Sequence, residues 1–432
     1  MLFLIFNIKL HLKMKKLGLL IMLATIMVFL GCSSDDSPTI IADTENPTAP
    51  VNLLVSNITG TSALLSWDAA TDNVAVTSYQ VYQGTMLIET NLTATSFSPS
   101  SLTEESSYSY YVTALDSAGN ESSASNTVSF TTQEAPLAFE PTLSEMGVFT
   151  GNLADLTPAD GVQLFELNSA LFTDYAVKQR LIRLPNGQAM RYDNSDLFPI
   201  FPDNTLIAKT FYYMVDETNP VSEKQIIETR ISIKVDGVWS MRTYIWNQNQ
   251  TDAIYDEQGS ALAVSYTDAT GTIQNIDYVI PTEMDCITCH SKSNVVTPIG
   301  PKLRNLNFTP SFTNQNQLDY FESIGILEGV NSSNVSVLPD WTDESLDILS
   351  RGRAYIDINC AHCHQPGGEV TNFGLDFRLE TSFDDSGIYA NRGEIEVRVQ
   401  SNVPTYRMPQ IGRSTVDQDG VTMLLEYLDA LD

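Results

Sequence analysis

Histidine and cysteine are nearly absent: the 432 residues include four histidines and five cysteines. So little sulfur excludes a disulfide framework of the kind that staples small secreted domains. Positive charge is also short, with 23 Lys+Arg against 53 Asp+Glu and a formal net charge of −30. Four of those lysines (Lys9, Lys13, Lys15 and Lys16) precede Cys32, so the chain after that cysteine is more acidic still. Such a surface repels nucleic acid and anionic lipid head groups, which excludes both as electrostatic partners. Long apolar runs are missing except at the N-terminus, where Leu17 to Leu30 ends at Gly31-Cys32.

That run is too short to span a bilayer and follows a basic stretch, as a cleaved export signal does. Phe29-Leu30-Gly31-Cys32 resembles a lipobox, in which Cys32 is acylated and becomes the mature N-terminus. Ser33-Ser34-Asp35-Asp36 resembles the acidic tether of surface-directed lipoproteins in Bacteroidetes-like bacteria. The expectation is a signal peptide at 1–31 and a polar tether at 32–46. The protein would be a lipoprotein of a Gram-negative outer membrane, at the cell surface or facing the periplasm, touching the membrane through its lipid alone.

The other four cysteines fall into two pentapeptides, Cys286-Ile-Thr-Cys289-His290 and Cys360-Ala-His-Cys363-His364. C-x-x-C-H is the pattern for covalent attachment of c-type haem. Two cysteines three apart lie about one helical turn from each other, so both sulfurs reach the vinyl edge of one porphyrin. The following histidine then meets the iron as proximal ligand. A zinc centre made by all four cysteines and a pair of redox dithiols are the competing readings. Zinc ribbons separate their pairs by roughly 15–20 residues, whereas 70 residues lie between Cys289 and Cys360. Neither alternative explains a histidine after both pairs. The expected cofactors are two c-type haems, held by Cys286, Cys289, Cys360 and Cys363, with His290 and His364 on the irons.

At this length about three domains are expected. Residues 47–133 read as short alternating strands, including Ser62–Trp67, Ser78–Gln83 and Tyr108–Asp116, separated by turn residues. Trp67 and the Leu102, Tyr108, Val112 spacing resemble a fibronectin type III domain with its tyrosine corner. Residues 141–335 form a second β-rich, sandwich-like domain carrying the first haem motif. Its strands are expected at Tyr175–Leu184, Thr205–Val215 and Gln225–Val235, with a tight hairpin at Asp236-Gly237. A short helix is expected at Asn316–Leu327. In 341–432 a helix capped by Thr342 or Asp343 leads into Cys360, and Val421–Leu431 is a terminal helix. Helix, C-x-x-C-H, loop, Met-Pro, helix resembles an all-α class I cytochrome c domain. The two helices should cross near Gly352 and Tyr427.

Histidine scarcity limits the axial ligands. Only His11, His290, His362 and His364 exist, and His11 lies in the signal, so bis-histidine ligation of both haems is excluded by count. Met408, 44 residues after His364, resembles the distal methionine of class I cytochromes. A thioether there stabilises ferrous iron and raises the potential. The carbonyl of Pro366 is a candidate for orienting His364. For the first haem Met190, Met214, Met241, His362 and an open position all remain in play.

Residues 141–432 resemble a family of exported bacterial proteins with two c-type haem sites and no settled role. The resembling segments are Leu143–Phe149, Leu171–Tyr175, Glu228–Arg230, Ile299–Lys302, Asn359–His364 and Met408-Pro409. The resemblance implies haem and export without supplying a substrate. The haems point to single-electron transfer outside the cytoplasm, and the acidity reads first as solubility and second as a surface for a redox partner protein with a basic docking face. A dihaem peroxidase with an open first haem is the enzymatic alternative, although Glu283 and Asp285, the acids nearest His290 in sequence, read as surface carboxylates. A binding module with incidental haems is the third.

Overall fold

The computed structural model describes residues 42–370 and 373–431. Cys32, the signal and most of the tether lie outside the described residues. The chain divides into two compact units, one built around Leu65–Phe97 and Tyr108–Ser129 and the other around Phe130–Asp432.

The first unit is all β. Strands β1 (Val51–Ser56), β2 (Leu64–Asp68) and β5 (Ser96–Phe97) form one sheet, and β4 (Met86–Leu92), β3 (Val76–Gln83), β6 (Ser107–Asp116) and β7 (Val128–Thr131) form the other in that order. Side chains two apart on a strand share a face. Leu65 and Trp67, Tyr79 and Val81, and Tyr110, Val112 and Ala114 are accordingly all buried. The Trp67 and Tyr79 rings meet edge to face at 5.5 Å, an arrangement aromatic pairs favour.

In the second unit an antiparallel sheet runs β14–β13–β12–β11–β9–β8. Its strands are β8 (Val162–Leu164), β9 (Val177–Arg183), β11 (Leu206–Met214), β12 (Lys224–Val235), β13 (Val238–Trp246) and β14 (Ala253–Asp256); the short β10 (Met190–Arg191) lies outside it. Asp236 and Gly237 both take positive φ, 51° and 78°, as the tight two-residue hairpin requires. Leu181, Ala208 and Ile231 stand in register on one face and join a cluster with Tyr244 and Trp246. Ile182 and Ile207 stand on the other and pack with Met190, Phe201 and Trp239. Strands β15 (Ser260–Thr267) and β16 (Ile273–Ile280) pair antiparallel and contribute Tyr266 and Tyr278 to a third cluster.

The helix α1 (Glu283–His290) follows β16 directly, and β17 (Ser291–Lys292) with β18 (Val295–Val296) makes a small hairpin after it. Two short helices, α2 (Leu303–Leu306) and α3 (Gln317–Ser323), precede β19 (Leu327–Glu328), which pairs parallel with β10. Asn316 caps α3 through its side chain. From residue 341 onward the regular elements among the described residues are helices: α4 (Ile348–Asn359), α5 (Phe383–Ser386), α6 (Ile388–Val399) and α7 (Gln418–Asp429). Helix α4 starts later than Thr342 or Asp343 predicts. Asp340 accepts from Thr342 N and Asp343 from Ser345 N, which closes turns there. The cap is Asp347, which accepts from Ser350 N at 2.9 Å.

Helices α4 and α7 touch through two glycines. A Cβ on Gly352 would lie 2.1 Å from Tyr427 Cγ, and one on Gly420 would lie 2.4 Å from Tyr355 Cε2. Each helix thus sets a glycine against the other's tyrosine, which fixes the crossing expected at Gly352 and Tyr427.

Candidate functional site

The second cysteine pair begins where α4 ends. Cys360 is its C-cap residue, with its N–H on the Ile356 carbonyl at 2.9 Å. A largely apolar cavity of about 350 Å³ opens there, lined by Cys360, His364, Phe377, Ile395, Val399 and Met408 among others. Cavities this size suit a sizeable small molecule. Met408 is held by its backbone, its N–H donating to Arg398 O and its carbonyl accepting from Arg413 Nη2, both at 3.0 Å. Burial pushes the His364 imidazole down to about 4, so it is neutral. Its Nδ1 is buried without a partner. The Pro366 carbonyl therefore does not orient it: the turn swings away, and Gly367 O accepts from Ser293 N at 2.6 Å.

The first pair rides on α1. Thr282 Oγ1 accepts from Asp285 N while the Asp285 carboxylate accepts from Thr282 N, a capping box that fixes the helix start. Glu283 is bonded to Arg242 and to Tyr255 Oη. Both carboxylates beside this motif are thus committed to structure. His290 Nδ1 lies 2.8 Å from Thr297 O. A carbonyl only accepts, so Nδ1 carries the proton and Nε2 keeps its lone pair. Burial, with Lys209 adding to it, drives this imidazole down to about 3.

Three cavities reach His290. The largest, about 220 Å³, also takes in Cys289, His362, Lys302 and Asp357. One of about 60 Å³ is shared by Cys286, Cys289, Lys209, Arg230 and His362. One of about 40 Å³ has Met241, Arg180, Lys209, Arg230 and Cys286 on its walls. Of the candidate sulfur ligands, Met241 faces this site, whereas Met190 is packed in the apolar cluster with Phe201 and Trp239.

The two motifs meet. Cys289 Sγ, Cys363 Sγ and a ring nitrogen of His362 lie within 4.8 Å of one another. A hydrogen bond between the thiols raises Cys289 and lowers Cys363. Cys286 and Cys360 stay apart from this group: Cys286 lines the small cavity with Thr243, and Cys360, half-buried, lines the helical cavity. A centre using all four cysteines does not form among the described residues.

Segments flagged in the sequence lock this arrangement. Phe172 N donates to Asn359 Oδ1 at 2.9 Å, and Asp174 accepts from Ser414 N and Thr415 N. Arg304, 3% exposed, meets Asp357 at 2.8 Å, and Lys302 joins them at 3.3 Å.

One feature escaped the sequence reading. Arg180, Lys209 and Arg230 are directly opposed on β9, β11 and β12. Burial, and then Arg230 and Arg180, lower Lys209 to about 7. The signal was there: a cation recurs inside each of three β-rich runs of an acidic chain.

Residues 48–131 match the fibronectin type III domain family. Over 90 residues the chain is 51% identical to Chitinase A1 of Niallia circulans, covering 21% of this chain and 13% of that protein. Over 101 residues it is 42% identical to Exoglucanase B of Cellulomonas fimi, covering 23% of this chain and 9% of the other. The chain thus spans a small part of these relatives. Among solved structures, an Fn3-like protein from Clostridium thermocellum aligns at 25% identity and a TM-score of 0.18, over 22% of this chain and all of that one. The segment from 48 to 131 is a fibronectin type III domain.

Proposed function

We propose that residues 130–432 hold two c-type haems and that the protein passes single electrons outside the cytoplasm. The carrying observation is one cavity walled at once by Cys360, His364 and Met408. These are the sulfur for attachment, the imidazole and the thioether that such a group needs, the thioether brought in from 44 residues beyond His364. The residues fit: the lining is mainly apolar, and His364 is neutral and without a competing partner. When bound, the haem supplies a one-electron iron couple whose potential the axial ligands tune.

The chain's own residues do the rest. Cys360 and Cys363 would attach the second group, His364 and Met408 would hold its iron, and Phe377, Ile395 and Val399 would exclude water. Cys286 and Cys289 would attach the first, and Thr297 O aims His290 by holding its Nδ1 proton. In this reading 341–432 is an all-α, class I cytochrome c-like domain, which the α4–α7 crossing supports. Residues 141–335 are its β-rich companion. Acylation at Cys32 would tether the protein to the outer membrane, and its acidity suits a partner with a basic docking face.

Pyridine haemochrome absorbance of the matured protein should give two haems per chain, falling to one in Cys360→Ala/Cys363→Ala. No covalent haem in the wild type would sink the proposal. A high-spin first haem that binds cyanide would move the reading to a peroxidase.

A further inference from the structure

Register sets Arg180 opposite Lys209 and Lys209 opposite Arg230, so three cations stand side by side on one sheet face. Like charges directly opposed across a sheet repel, and buried charges require partners. Glu228, fully buried, is already bound to Arg230 and to Tyr278 Oη. Among the described residues no carboxylate lies within ion-pair distance of Arg180 or Lys209: Glu166 and Glu228 act on them only from further away. Arg180 donates to the Lys178 carbonyl at 3.4 Å, and Lys209 Nζ sits 5.2 Å from the Phe211 ring. On the same face, Ile182 and Ile207 flank the row on one side, and Phe211 between Lys178 and Glu228 on the other. The row looks into the cavity of about 40 Å³ that Cys286 and His290 also wall. That volume holds a few waters or a single carboxylate. In a chain of net charge −30, one buried cation, Arg180, and two half-buried ones, Lys209 and Arg230, gather around this space.

The geometry points to an anion site at Arg180, Lys209 and Arg230, taking a carboxylate or small oxyanion beside the first cysteine pair. Two sources share that chemistry: a free anion, or a carboxylate of the tetrapyrrole attached there. The second source rests on the function proposed above, and the site itself does not.

The test uses the full haem-matured chain as wild type, Arg180→Gln, Lys209→Met and the control Lys234→Met, whose Nζ is tied to Phe201 O. Thermal midpoints are read against acetate and inorganic phosphate, with chloride at equal ionic strength, and both reduction midpoints are measured. A free anion predicts a wild-type midpoint that rises with acetate or phosphate. Its apparent affinity then falls at least tenfold in the first two variants and not in the control. A tetrapyrrole carboxylate predicts no anion response. Arg180→Gln and Lys209→Met then each shift one haem's reduction equilibrium about tenfold toward the oxidised form, about 59 mV for one electron. Folded variants that change neither reading overturn the site. Fewer than two haems in the wild type defeats the functional reading alone, because the anion titration still decides this one.

Discussion

At the scale of single residues the strongest constraint is Asp357. It is 5% exposed and bound by Arg304, Lys302 and Leu379 N. Removing its charge leaves Arg304 with Glu380 alone, at 2.8 Å, and losing a charge-assisted hydrogen bond of this kind costs about 1.5–3 kcal/mol. Asp357→Asn should lower the urea-denaturation free energy by that order. Burial alone would raise the Asp357 carboxyl, but Lys302 and Arg304 hold it below its ordinary value. Its contribution is therefore present above the unfolded value of about 3.9 and is lost as pH falls through the lower folded value. Stability of the wild type should decline there, and Asp357→Asn should flatten that decline. At the second cavity, Met408→Ala should leave the haem count unchanged and lower one reduction potential, since the thioether favours ferrous iron. An unchanged potential would remove Met408 from the iron. That Cys360, His364 and Met408 share one site was legible because C-x-x-C-H and Met-Pro are patterns of a few positions. Asp357 was not, because its partners lie on another element and only folding joins them.

At the scale of elements, Gly352 and Gly420 decide whether α4 and α7 close. Gly352→Ala would put its Cβ 2.1 Å from Tyr427 Cγ, and overpacking of this kind costs about 1–3 kcal/mol or more. Expected outcomes are a lower thermal midpoint and poorer haem incorporation at the second motif, with Tyr427→Ala in the same background restoring part of the loss. A Gly352→Ala variant as stable as wild type would mean the helices do not cross there. The strands of the second unit were readable because alternation over seven or more residues is a strong pattern. Helix α6 was not: of its residues only Ile388 and Val399 are buried, so no apolar stripe announces it. The start of α4 was misplaced because Thr342 and Asp343 are good caps, yet Asx-type turns at Asp340 and Asp343 use them first.

At the scale of the whole molecule, charge is the main lever. A net charge of −30 makes encounter with a basic partner fast at low salt and slower as salt screens it. Stopped-flow reduction by a basic soluble cytochrome should slow severalfold between about 10 mM and 150 mM salt, whereas an acidic partner should show the opposite trend. The fibronectin type III domain was recognisable from its own pattern, since its core is made by neighbours in sequence. The meeting of the two cysteine motifs was not, because it depends on how Leu171–Tyr175 and Ile299–Lys302 hold α4 against the sheet.

That meeting carries a hazard during biogenesis. Cys289 and Cys363 belong to different motifs, yet their thiols lie within 4.8 Å. On the export proposed above, the chain would reach an oxidising compartment, where neighbouring thiols are prone to join. One such cross-link would take a sulfur from each motif and disable both attachments in a single event. Chain secreted without a haem-attachment system should therefore accumulate a Cys289–Cys363 linkage, visible by peptide mass spectrometry. If the proposed haems are attached, maturation is a race in which the ligation machinery must arrive before the fold finishes closing.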